Sequence, residues 1–142
     1  MELEDVKAHG TRLSPWAHIA TVGADGKPDV VPVHPCWEGE ILWTMCGKDS
    51  VKVRNVAANP NVALHWQVTE NGDGLEVWGT AEYVDDLDTK RRLWDGVFDY
   101  DLNAFAPGGP ENSPDTGFLA VRPERALYLA QYGMGGREVW KA

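Results

Sequence analysis

The stretch AHIATVGADGKPDVVPVHPCWEGEILWTMCG, residues 17–47, constrains the fold more than any other part of the chain. Ala17–Val22 is apolar and β-branched, and Ala24-Asp25-Gly26-Lys27 supplies a tight hairpin turn. Pro28–Trp37 reads as the second strand, Glu38-Gly39 as a second turn, and Glu40–Cys46 as the third strand. A sequence that spends its first third on consecutive short strands and turns cannot become a helical bundle or a parallel sheet. Pro32 and Pro35 remove ladder donors from the second strand, which places it at an edge or where the sheet opens.

Downstream segments extend this pattern. Residues 3–13 suggest a short helix that Gly10 weakens. Gly47–Asn59 changes period and fits a short amphipathic helix, capped by Asp49 or Ser50 and stopped by Asn59-Pro60. Asn61–Thr69 and Leu75–Val84 read as strands around the open turn Asn71-Gly72-Asp73-Gly74. Asp86 or Asp88 then caps a helix reaching about Phe98, with Leu87, Arg91, Trp94 and Val97 spaced at three and four. Residues 99–117 are rich in Pro, Gly, Asp and Asn, and a loop of that length in a small domain is functional or mobile. Phe118–Val121 and Arg125–Gln131 read as two last strands around Arg122-Pro123-Glu124, and Gly133-Met134-Gly135-Gly136 as a flexible tail turn. Six or seven strands with two inserted helices point to a closed or nearly closed antiparallel barrel, and a dimer would cover its bare apolar faces.

Bulk properties narrow the function. At 142 residues the chain is expected to form one domain over 1–142. Its net charge of −9 argues against nucleic acid as a partner. There is no apolar run that spans a membrane, and MELEDVKAHG lacks the apolar core of a signal peptide, so a cytoplasmic location is expected. Cys36 and Cys46, the only cysteines, sit in one predicted hairpin with Cys36 opposite Ile41 and Cys46 opposite Val31. They do not face each other, and two buried reduced thiols are the expectation. His9, His18, His34 and His65 show no metal-ligand spacing, so no metal is expected. Seven tryptophans exceed what the core of so small a barrel requires, and some are free for a pocket or an interface.

One local anomaly remains. GKDSVKVRNVAANPNVALHW, residues 47–66, gathers Lys48, Lys52 and Arg54 where a helix begins, in an acidic chain. The first N–H groups of a helix are unpaired and its positive dipole end favours phosphate. Ser50 adds a hydroxyl and Lys52 a full charge in the first turn, while the preceding strand delivers Thr44 to the same neighbourhood. A plain capped helix with solvated lysines satisfies the same residues, and composition does not separate the two.

ATVGADGKPDVVPVHPCWEGEILWTMCGKDSVKVRNVAANPNVALHW resembles the pyridoxamine 5′-phosphate oxidase-like, flavin-binding split-barrel superfamily. GTAEYVDDLDTKRRLW and FAPGGPENSPDTGFLAVRPERALYL are similar to its general stress protein 26-like branch. The resemblance spans about residues 14–130. It implies a mainly β fold: a six-stranded antiparallel split barrel of Greek-key type, homodimeric, with FMN in clefts between subunits. It implies further that the strand Val30-Val31-Pro32-Val33 lies along the flavin ring, that Thr44 stands near the ribityl phosphate, and that Ser50 and Lys52 hold the phosphate. Aromatic groups of the second subunit close such pockets, with Trp66, Trp94 and Trp140 as the candidates here.

The departures carry information too. Pyridoxamine-phosphate oxidases place basic residues where Val31 and Val51 stand, so oxidation of pyridoxamine phosphate is not the expected activity. The resemblance therefore implies an FMN-dependent oxidoreductase acting on an unidentified small molecule. It leaves two alternatives, a reductase using the deazaflavin coenzyme F-420 and a non-catalytic flavin-binding stress-response protein; some relatives bind haem instead. No side chain stands out as the catalytic acid, although His34 and Tyr132 have suitable chemistry.

Overall fold

The computed structural model describes residues 1–66 and 68–142; Gln67, inside the predicted strand Asn61–Thr69, lies outside the described residues. The elements run α1 (Leu3–Leu13), β1 (Ala17–Val22), β2 (Pro28–Val33), β3 (Cys36–Glu38), β4 (Ile41–Gly47) and α2 (Val51–Ala58). They continue with β5 (Asn61–Trp66), β6 (Gly74–Val84), α3 (Leu87–Trp94), β7 (Thr116–Leu129) and β8 (Arg137–Lys141). Among the described residues eight strands form one antiparallel sheet in the order β2-β1-β5-β6-β7-β4-β3, with β8 added on β7. The terminal strands β2 and β3 are joined by only His34-Pro35, so the sheet has to curl until its two ends nearly meet. They do not pair among the described residues, and the result is the expected split barrel, with eight strands against the six or seven anticipated.

The prolines explain where the predicted second strand fails. β2 is the sheet's terminal strand and pairs only with β1, from Ala17 opposite Val33 to Val22 opposite Pro28. An edge tolerates Pro32 because its missing N–H would have faced away from a partner. At His34-Pro35 the chain leaves the ladder, and Cys36–Glu38 pairs instead with β4. The turn is centred on Gly39-Glu40, with Gly39 at φ +58°, so Cys36 stands opposite Trp43 rather than Ile41. Cys46 stands opposite Gly117 rather than Val31. Both thiols are nevertheless buried and free.

Two more corrections concern the C-terminal third. The predicted break at Arg122-Pro123-Glu124 is a bulge within the fourteen-residue β7, where the register with β6 shifts between Trp78 and Gly79. β7 therefore pairs with β6 along one edge, and with β4 then β8 along the other. The tail read as a flexible turn contains the strand β8, entered through Gln131 and Tyr132 at φ +50° and +58°.

β4 and the first half of β7, Gly117–Val121, are buried on both faces, which is why both stretches are nearly unbroken apolar runs. Leu42, Cys46, Leu119 and Val121 join Ile19, Leu64 and Val77 in the barrel core. Alternate residues Trp43, Met45, Phe118 and Ala120 belong to a second cluster with Leu93 of α3 and with Phe98 and Leu102. That cluster ties down the long 99–117 segment. Lys90 of α3, only 4% exposed, donates from Nζ to the Ser113 carbonyl at 2.7 Å. Asp86 caps α3 by accepting from the Thr89 N–H at 3.0 Å. Among the described residues no helix is long and apolar enough to cross a membrane.

Candidate functional site

The split in the barrel wall is a cleft of about 540 Å³. Pro32, Val33 and His34 line one side of it, and Thr44, Met45, Cys46 and Gly47 of β4 the other. Lys52, Thr116, Trp16, Tyr100 and Phe105 complete the lining. β2 is the terminal strand and supplies an outer edge without a ladder partner among the described residues.

One end of the cleft is cationic. Ser50 is the N-cap of α2, yet its hydroxyl donates to the Gly47 carbonyl at 2.7 Å and makes no bond to the first-turn amides. Those amides and the dipole end keep their capacity for an anion. The three cations of this segment have separate fates. Lys48 pairs with Asp115 at 3.3 Å, and Arg54 is exposed. Lys52 is half-buried, lines the cleft and has no ion pair among the described residues. Its charge partly offsets the effect of burial on neighbouring Cys46, whose thiol burial pushes up to about 12.

The other end is aromatic. Trp16, His34, Tyr100 and Phe105 form a row with successive centroid separations of 6.4, 4.3 and 5.7 Å. Trp16 is 54% and Phe105 73% exposed, so two large rings stand in solvent at the cleft's rim. Behind His34 lie Cys36 and Asp99. The Cys36 thiol donates to Asp99 Oδ1 at 3.4 Å, and His34 Nε2 lies 2.7 Å from the same oxygen. That second contact is off the angle of a hydrogen bond, and Nε2 is buried without a hydrogen-bond partner. Burial raises the Tyr100 hydroxyl to about 12, with the charges of Cys36 and Asp99 adding to the effect.

Of the residues the sequence singled out, the fold brings Pro32, Val33, Thr44 and Lys52 together on the cleft. Ser50 sits between Gly47 and Lys52 but does not line it. Val30 is exposed and Val31 packs against the barrel core, both on β2 beside the cleft. Trp66 is 3% exposed and lies against Gly10 in the core. Trp94 packs on Phe118 and donates to Asn103, and Trp140 on β8 lines a separate surface hollow. None of these three tryptophans lines the cleft of its own chain. Sequence reasoning passed over Trp16, Met45, Tyr100, Phe105 and Thr116. Trp16 and Phe105 were detectable as large apolar residues in segments with no core periodicity.

Comparison with known proteins agrees with this architecture. The chain resembles a protein related to general stress protein 26 from Clostridium acetobutylicum at 21% identity and a TM-score of 0.76, covering 95% of this chain and 91% of that one. An FMN-binding protein related to pyridoxamine 5′-phosphate oxidase from Nostoc punctiforme matches at 15% identity and a TM-score of 0.71, over 97% and 87% of the two chains. An F420 reductase matches at 31% identity and a TM-score of 0.60, over 80% and 90%. No curated protein sequence matches significantly. The sequence profile of the pyridoxamine 5′-phosphate oxidase family matches residues 8–130, and this chain belongs to that family.

Proposed function

We propose that this protein is an FMN-binding oxidoreductase acting on a small molecule other than pyridoxamine phosphate. The observation that carries the reading is Lys52: a half-buried cation without an ion pair among the described residues, at the head of α2, facing a cleft whose far end is aromatic. A phosphate at Lys52 and the first-turn amides would leave a flat ring lying toward Trp16, Tyr100 and Phe105. Thr44 and Thr116 offer hydroxyl groups between the two ends, and the volume suits a cofactor. FMN, when bound, supplies the hydride chemistry. The chain's own residues bind the phosphate, give the ring apolar walls and keep water from its buried face. Val31 and Val51, in place of basic residues, are what turn the reading away from pyridoxamine phosphate.

The cleft works best as part of a homodimer. Trp16, Val30 and Phe105 are exposed beside it, and a second subunit over them would remove apolar surface from water and close the site. The 31%-identical F420 reductase favours a second reading, with the deazaflavin coenzyme F-420 in the same cleft.

The visible spectrum of freshly purified protein separates these readings, because a bound flavin and a bound deazaflavin absorb at different wavelengths. Titration with FMN, followed by quenching of flavin fluorescence, tests the proposal directly. Saturable binding at one FMN per chain is expected, in a species of dimer mass by light scattering. Failure to bind FMN overturns it. FMN binding without reduction by any nicotinamide donor moves the protein to a non-catalytic flavin-binding role.

A further inference from the structure

We propose that His34, Cys36 and Asp99 form a binding site for one divalent metal ion of the zinc class at the aromatic end of the cleft. The inference does not depend on the flavin reading. Three segments each bring one ligand atom: the link between β2 and β3, the strand β3, and the start of the 99–117 loop. His34 nitrogen, Cys36 Sγ and an Asp99 carboxylate oxygen all lie within 4.8 Å of one another.

The spacing suits a small tetrahedral ion. With metal–ligand bonds of about 2.0–2.3 Å, ligand atoms of a tetrahedral site stand roughly 3.3–3.6 Å apart. Cys36 Sγ and Asp99 Oδ1 are already 3.4 Å apart. His34 Nε2 and Asp99 Oδ1, at 2.7 Å, need to open by about half an ångström. The Asp99 side chain, 68% exposed, has the freedom to do so.

Two further observations favour an ion over a simple polar cluster. His34 Nε2 is buried and meets the Asp99 carboxylate at 2.7 Å off the angle of a hydrogen bond, an arrangement that coordination of both groups to one metal would satisfy. In the metal-free protein Cys36 is a thiol donating to Asp99. Once its proton is exchanged for the ion, thiolate and carboxylate together balance a divalent cation, in a chain whose net charge of −9 favours cations overall. Binding exchanges the Cys36 thiol proton for the metal, and that proton leaves to solvent. A mixed nitrogen, sulfur and oxygen donor set selects zinc or cobalt over magnesium or calcium. With three protein ligands, a tetrahedral ion keeps a fourth position for water; His34 borders the cleft and Asp99 a small hollow with Pro35 and Trp37.

Cobalt substitution tests the site on the full-length protein after treatment with a chelator. One Co²⁺ per chain is expected, with the intense visible bands of a four-coordinate ion, a near-ultraviolet thiolate charge-transfer band, and displacement of both by one equivalent of Zn²⁺. Cys36→Ser removes the charge-transfer band. Asp99→Asn, at an exposed position that does not endanger folding, weakens Zn²⁺ binding by at least about tenfold, since even outer partners of a metal site cost that much. His9→Gln, on a histidine near Glu138 and remote in sequence from the site, changes neither. Circular dichroism of each variant establishes that it is folded. Absence of a one-to-one complex in the wild type, a charge-transfer band that survives in Cys36→Ser, or wild-type affinity in Asp99→Asn each overturns the proposal.

Discussion

Gly79 packs its Cα directly against the backbone of Arg122, so that a Cβ built at Gly79 would overlap the Arg122 carbonyl oxygen and lie 3.0 Å from the Cα of Pro123. This contact sits at the register shift between β6 and β7, where Trp78 faces Arg125 and Gly79 faces Pro123, which leaves Glu124 as the extra residue. The close approach lets β7 bend without breaking. It is backbone against backbone, and no side chain can rotate away to relieve it.

Gly79→Ala is therefore expected to destabilise the protein by about 2–4 kcal/mol, with no change in the residues that line the cleft. Chemical denaturation monitored by tryptophan fluorescence measures it. A variant as stable as the wild type would mean that β7 does not follow this path.

Lys52→Ala removes the cleft's cation and is expected to raise the FMN dissociation constant about tenfold or more, equivalent to ~1.5–3 kcal/mol for a charge-assisted contact. Lys48→Ala breaks only the partly exposed pair with Asp115 and should leave FMN affinity within about threefold of the wild type. Equal effects from the two substitutions would contradict the separate fates of these lysines.

Burial holds the Cys46 thiol up at about 12 against an ordinary value of 9.0. The folded pKa exceeds the unfolded one, so the stabilisation is complete below pH 9 and declines as pH rises from about 9 toward 12. Tyr83 acts in the same sense, its hydroxyl raised by burial from 10.0 to about 12. Unfolding midpoints in urea should fall progressively above pH 9, and less steeply in Cys46→Ala. An identical slope in the variant would remove Cys46 from the account.

Asp86 shows the opposite sign. Its carboxylate accepts from the backbone N–H and hydroxyl of Thr89, at 3.0 and 2.8 Å, which lowers its pKa below the ordinary carboxylate value of 3.8. The cap's contribution is present above that value and is lost as pH falls through the lower folded one. Asp86→Ala should lower the melting temperature at pH 7, Asp86→Asn should lower it less, and the gap to Ala should close in strong acid. A gap that does not vary with pH would show that the charge plays no part in the cap.

How far the sequence reached can be argued from particular segments. Periodicity and capping residues placed α1, β1 and α3 at or near their observed starts, because those signals act within a few residues of where they are written. The head of α2 was legible for the same reason: Ser50, Lys52 and the stop at Asn59-Pro60 are local chemistry. Pro32 and Pro35 correctly announced an edge and an opening. The predicted hairpin did bring residues 36–38 against β4, but the letters could not say that β2 would part from β4 and leave that edge to β7, since pairing depends on a partner elsewhere in the chain.

β8 shows the same limit. Arg137–Lys141 is a five-residue strand with only Val139 and Trp140 as strand formers, and it pairs with β7 along an edge that the local letters do not reveal. Pro123 reads as a strand breaker, yet Gly79 on the neighbouring strand β6 absorbs the bulge that Pro123 would otherwise turn into a break. Lys52 stands out in the sequence by its place in the first turn, and the folded position of Asp115, which pairs with Lys48, adds the reason that Lys48 is not the cation facing the cleft. The sequence by itself determined the antiparallel-barrel class and the cationic head of α2, both consequences of local pattern, while the split barrel came from the family resemblance. The tertiary structure decided the register, the cleft's aromatic row and the meeting of His34 and Cys36 with Asp99, because those depend on contacts between residues far apart in the chain.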